Sequence, residues 1–182
     1  MLARGGGGAG EVAALEGLEA GPGGEWSAGA WLYDVGLGPG GAPRGLSASA
    51  LCVAGSGAGE EVCVGVAQSA PGPGSDLGYT AWRGPGLGGA APVPPGRRRK
   101  GWRHLELHSN GTHQAAAVDG AEVLLLPGAG PTPMAPAAVV LRAGGAGGAN
   151  ELPALWDAVY FTPGRIRRAS AAAAAAAAPA PP

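Results

Sequence analysis

The chain has 182 residues, and its 12 basic and 13 acidic side chains leave a net charge of −1. Gly, Ala and Pro fill 95 positions while Leu, Ile, Val and Phe fill only 31, which excludes a large, densely packed enzyme core. The balanced charge argues against a disordered polyelectrolyte, and the glycines lack the period of three that a collagen helix requires, so one domain with a modest core remains.

In chain order, residues 1–24 read as a flexible N-terminal segment. The first ten are Gly-rich, with no apolar h-region of a signal peptide after Met1. Val12, Leu15 and Leu18 follow at helix-like spacing, and Gly17 limits any helix there to one or two turns. From about residue 26 short apolar runs alternate with Gly/Pro clusters, which predicts strands at 27–34, 47–54, 61–68, 77–83, 102–108, 113–118, 122–126, 137–142 and 154–162. Alternation supports them: Trp31 with Tyr33, Val62 with Val64 and Val66, and Leu105 with Leu107 each share a face. Nine short strands with turns between them predict an all-β, two-sheet antiparallel β-sandwich of jelly-roll type over 25–164. Residues 165–182 read as a disordered Arg/Ala/Pro tail, within which Arg167-Arg168-Ala169-Ser170 matches a basophilic kinase pattern. No run of 18 apolar residues predicts a transmembrane segment.

Charge is split along the chain, with a net −5 over residues 1–96 and +4 over 97–182. The basic run Arg97-Arg98-Arg99-Lys100 follows a Pro/Gly linker with no aromatic residues interleaved, so it reads as a solvated loop and no nucleic acid partner is expected. No glycine run is followed by the Lys-Ser/Thr and helix of a phosphate loop.

Turns set the register of two hairpins. Asn110-Gly111 predicts a two-residue turn that places His108 opposite His113, and Asp119-Gly120 predicts a second such turn. A hairpin centred on Gly57-Ala58 places Cys52 opposite Cys63, close enough for a cross-strand disulfide in an oxidising compartment; in a reducing one they would be small buried hydrophobes.

The run Gly101-Trp102-Arg103-His104-Leu105-Glu106-Leu107, followed by Asn110-Gly111-Thr112 and then Val118-Asp119-Gly120-Ala121-Glu122-Val123, resembles the laminin-G / concanavalin A-like lectin-glucanase family. Trp31-Leu32-Tyr33-Asp34 and the closing Leu155–Pro163 segment are similar to its opening and final strands. Alanines at 115–117 and long Gly/Pro loops at 36–45 and 84–96 depart from the pattern. The resemblance implies a jelly roll that binds glycans or extracellular proteins, often with calcium, at the cell surface or outside it. It implies a non-catalytic recognition module first. A glycoside hydrolase or lyase of the same fold is the alternative, and a structural or adhesive segment without a small ligand is the third reading.

Four candidate sites follow. His104, Glu106 and His108 alternate on one strand face, with His113 expected across from His108, and together they form a candidate metal set against a plain solvent-facing polar row. Tyr79 and Trp82 precede a long loop and form the candidate ligand platform, while Trp31, Trp102 and Trp156 are assigned to the core. Asn110 heads an Asn-Gly-Thr glycosylation sequon at an exposed turn. No carboxylate pair with glycosidase spacing stands out; Glu106 with Asp119 is the pair to check.

Overall fold

A computed structural model describes residues 10–36, 49–66, 78–84, 91–93, 98–125, 134–143 and 154–164. The described chain forms eleven strands and no helix. They are β1 (Gly10–Glu16), β2 (Glu25–Asp34), β3 (Ser49–Gly55), β4 (Glu61–Val66), β5 (Tyr79–Arg83) and β6 (Ala91–Val93), then β7 (Gly101–Asn110), β8 (Gln114–Val118), β9 (Ala121–Leu125), β10 (Pro136–Ala143) and β11 (Leu155–Pro163). Sheet A has the order β1-β10-β3-β4-β5-β6 and sheet B the order β11-β2-β7-β8-β9, with every pairing antiparallel. This is the all-β sandwich that the strand pattern and the laminin-G / concanavalin A-like resemblance predict. The sandwich starts earlier than expected: β1 pairs with β10, so residues 10–16 belong to sheet A and not to a flexible segment. The tail from 165 and its kinase pattern lie outside the described residues.

Period-two alternation builds the core. Trp26, Ala28, Ala30 and Leu32 of β2, with Leu105 and Leu107 of β7, meet Leu51, Val53, Val62 and Val64 of the opposite sheet. The alanines of β2 suffice there because Ala28 and Ala30 pair directly with Leu107 and Leu105, whose side chains fill the layer beside them. One end of the sandwich is closed by polar groups instead. Asp34 ends β2, and its carboxylate accepts hydrogen bonds from the Tyr79 hydroxyl on sheet A, from Arg98 Nη2 at 2.8 Å and Nε at 3.1 Å, and from the Gly36 amide at 2.7 Å. Both side chains of the Asp34–Arg98 pair are buried. Arg98 is therefore not part of a solvated basic loop, whereas Arg99 and Lys100 are exposed.

The turns follow the predictions in two cases of three. Cys52 pairs with Cys63, and Val118 with Ala121 around Asp119 (φ 49°) and Gly120 (φ 87°). The β7–β8 register is two residues off the expected one, with His108 opposite Ala115 and not His113. The reason is the Asn110 side chain. Its Oδ1 accepts from the Thr112 amide and hydroxyl and from the His113 amide, which builds a longer loop with only Gly111 at positive φ.

A bulge shapes β11. Asp157 pairs with Trp31 and Tyr160 with Gly29, so two residues oppose Ala30, and Ala158 takes a left-handed φ of 48°. The left-handed region is strained for a side chain with Cβ, so Ala158→Gly is expected to gain about 0.5 kcal/mol net of the added chain entropy. Denaturant unfolding checks this; a loss of stability would contradict it.

Candidate functional site

The face of sheet B turned away from the core gathers the chemistry. On β7 it carries Trp102, His104, Glu106 and His108, which alternate with the core residues Leu105 and Leu107. On β2 it carries Tyr33, Trp31, Gly29 and Ser27, paired in that order with the β7 residues. The β11 bulge turns Tyr160 onto the same face above Gly29, where any Cβ would overlap the Tyr160 ring. Two groups of ring contacts result on this face. Tyr33 meets Trp102 edge-on at 5.3 Å between centroids, Trp31 lies 5.0 Å from His104, and His104 stacks on Tyr160 at 5.9 Å. The Tyr160 hydroxyl also lies 3.3 Å from His104 Nε2.

Trp31 and Trp102 are 40% and 44% exposed, and Leu155, opposite Tyr33, is 42% exposed. Three large apolar side chains from three strands thus meet solvent on one sheet face. The expectation that Trp31 and Trp102 belong to the core is thus corrected. Trp156 does pack against the core, and Trp26 is fully enclosed and stacked near Phe161.

Beside the rings lies an acidic floor. Glu106 is buried, its Oε2 3.9 Å from His104 Nδ1, and His108 is buried with Nε2 3.5 Å from Glu122 Oε1. Glu106, Ala117 and Glu122 occupy one row across β7, β8 and β9, so a methyl group separates the two carboxylates. Asp157 adds a third acid opposite Trp31. The four metal-ligand candidates do not converge. His104 and His108 belong to two separate His–Glu pairs, and His113 lies in the exposed loop with Nδ1 2.8 Å from the Thr112 hydroxyl. Asp119 is not a partner for Glu106 either: its carboxylate accepts from Arg103 Nη1 at 2.8 Å and from the His104 amide at 3.0 Å, holding the turn.

The Tyr79 and Trp82 platform is corrected as well. Tyr79 is 1% exposed, a core residue whose hydroxyl donates to Asp34. Burial, then the Asp34 hydrogen bond and charge, push that phenol far above its ordinary range. Trp82 points to the opposite side of β5 and packs against the Cys52–Cys63 pair. The two cysteines form a disulfide with Cα atoms 4.1 Å apart. Asn110 is exposed, as a glycosylation sequon needs, although its Oδ1 is engaged by the loop.

No family model and no curated protein matches the chain. Among solved structures it is similar to mouse laminin alpha1 chain domains LG4-5, with 12% identity, TM-score 0.49, and coverage of 85% of this chain and 39% of that one. It is also similar to Trypanosoma rangeli sialidase in complex with 2,3-difluorosialic acid, with 14% identity, TM-score 0.45, and coverage of 79% and 21%. A mutant of that sialidase displaying trans-sialidase activity gives 16% identity and TM-score 0.45 over the same shares. The chain thus spans about two fifths of the laminin fragment and about a fifth of the sialidases.

Proposed function

We propose that the chain is a non-catalytic recognition module that binds a glycan on the outer face of sheet B. The observation that carries this reading is the two exposed indoles, Trp102 against Tyr33 and Trp31 against His104, on the sheet face that also carries buried Glu106. Flat indole faces stack on the C–H faces of pyranose rings, and a carboxylate accepts hydrogen bonds from sugar hydroxyls. Glu106, Glu122 and Asp157 give this face a negative bias, which favours neutral over sialylated or sulfated sugars. The Cys52–Cys63 disulfide supports an extracellular or cell-surface setting. A protein ligand is the other occupant this face fits, since Leu155 extends the apolar surface beyond the rings.

A second reading has one observation in its favour. Glu106 and Glu122 stand two strands apart in one row, roughly 10 Å at ordinary strand spacing. That is near the separation used by inverting glycosidases.

Tryptophan fluorescence titrated with neutral and sialylated oligosaccharides tests the proposal. Trp31→Ala and Trp102→Ala are expected to weaken binding at least about tenfold each, in line with the loss of one well-placed aromatic contact, with unchanged melting. Release of product from the oligosaccharides, abolished in Glu106→Gln, would move the reading to the hydrolase. No response to any sugar would sink the glycan proposal and leave the protein ligand or a structural segment.

A further inference from the structure

The outer face of sheet A carries a second cluster, which the recognition reading does not use. Val140, Cys52, Cys63 and Trp82 are directly paired in one row across β10, β3, β4 and β5. Glu61 stands two residues before Cys63 on the same face and brings its Oε1 to 2.9 Å from Cys63 Sγ. Among the described residues, Cys52, Glu61 and Cys63 bring three potential ligand atoms within 4.8 Å of one another, and all three residues are buried. Arg142 pairs with the carboxylate of this cluster, its Nη1 2.8 Å from Glu61 Oε1 and its own side chain 33% exposed.

We propose that this cluster is a redox-gated metal site: a disulfide when oxidised, and a two-thiolate, one-carboxylate centre for zinc when reduced. The steps balance. A phosphine and water cleave the S–S bond, two electrons pass to the sulfurs, water supplies two protons, and the phosphine leaves as its oxide; a dithiol does the same and leaves as its cyclic disulfide. Zinc then displaces both thiol protons, forming two Zn–S bonds and one bond to Glu61, with water in the fourth position. Three anionic ligands around a dication leave one negative charge, which the Arg142 guanidinium offsets from the outer shell. Thiolates select zinc over calcium or magnesium, which require oxygen ligands. Ala50, Val140 and Trp82 supply an apolar surround that strengthens the ligand field of charge around the ion.

Titrating the reduced chain with cobalt under anaerobic conditions, followed by displacement with zinc, tests this. The expected result is one cobalt per chain with thiolate charge-transfer and tetrahedral visible bands, bands that are absent in the oxidised chain. Cys52→Ser and Cys63→Ser are expected to abolish the bands. Glu61→Gln, which keeps both cysteines and the oxidised fold, is expected to weaken affinity at least about tenfold, and zinc should raise the melting midpoint of the reduced chain. Absence of the bands, their persistence in the oxidised chain or in Cys52→Ser, or equal affinity in Glu61→Gln overturns the site. Bands that arise without a cooperative melt mean binding by unfolded chain, and they overturn it too.

Discussion

Asp34→Asn is expected to destabilise the chain by about 3–5 kcal/mol, the usual result of breaking a buried ion pair from one side. The substitution keeps the shape of the side chain and removes its charge. Arg98 would then hold a guanidinium in a buried site without the carboxylate that now accepts from both its Nε and its Nη2. Tyr79 would lose a charged acceptor at the same time. The damage is long-range, because Asp34 belongs to sheet B and Tyr79 to sheet A, so this cluster ties the layers together at one end of the sandwich. In a domain of this size the loss corresponds to roughly 10 °C in midpoint. The double variant Asp34→Asn/Arg98→Met is expected to recover about half of the loss, because no charge is stranded. A single-variant cost below about 1 kcal/mol, the level of an exposed pair, would show that the pair contributes no more than a surface contact.

The same cluster sets a pH dependence. Burial works to raise the Asp34 carboxyl, but hydrogen bonds from Arg98, Tyr79 and the Gly36 amide outweigh it and hold the group below its ordinary value of 3.8. A depressed folded-state value means that the stabilisation is present above that ordinary value and is lost as pH falls through the lower, folded one. The parent should therefore lose stability steeply below about pH 4, and Asp34→Asn should show a shallower slope there. Urea midpoints measured from pH 7 to pH 2 on both proteins check this, and parallel slopes would assign the acid transition to other carboxylates.

How much of this was legible in the sequence depends on whether a signal is local. Val62, Val64 and Val66, and Leu105 and Leu107, announce their strands by strict alternation, and Asp119-Gly120 announces its turn by left-handed chemistry. Strand β1 escapes for a definable reason. Val12 pairs with Leu141 and Leu15 with Val139, so a step of three on β1 matches a step of two on β10 because a bulge lies between. One inserted residue turns a strand's period into something that reads as a helix. Strand β6 contains Pro92 and is visible only as a sheet edge, where a missing amide is tolerated. In the site, the parity of Trp102 with His104, Glu106 and His108 already places it on the polar face, but ranking residues by size assigns it to the core. Arg98 and Asp34 are 64 residues apart, and no local pattern links them. Trp82 looks like a rim aromatic because nothing in its own strand reveals that the outer face of sheet A is covered around the cysteines.

That covered face makes the disulfide the second large expected effect. Replacing both cysteines, as Cys52→Ala/Cys63→Ala, is expected to cost about 3 kcal/mol, the loop-closure value for a separation of this length; the separation here is 11 residues. The loop closed by the bond is the β3–β4 turn, and those two strands are the centre of sheet A. The chain-entropy account places the effect in the unfolded state, which the bond keeps from expanding. Two readouts follow from that placement. The midpoint of unfolding should fall, and the denaturant slope should rise, because the uncrosslinked chain exposes more surface when it unfolds. The ion pair Arg142–Glu61 spans the same face and remains in the variant, so the native sheet keeps its cover and its unfolding rate should change little. A large acceleration of unfolding with an unchanged slope would show instead that the bond braces the native sheet. Reduction of the parent without metal should reproduce the variant's midpoint within a few degrees. Reduction in the presence of zinc should not, and the difference between the two reduced melts measures how far the metal replaces the covalent link.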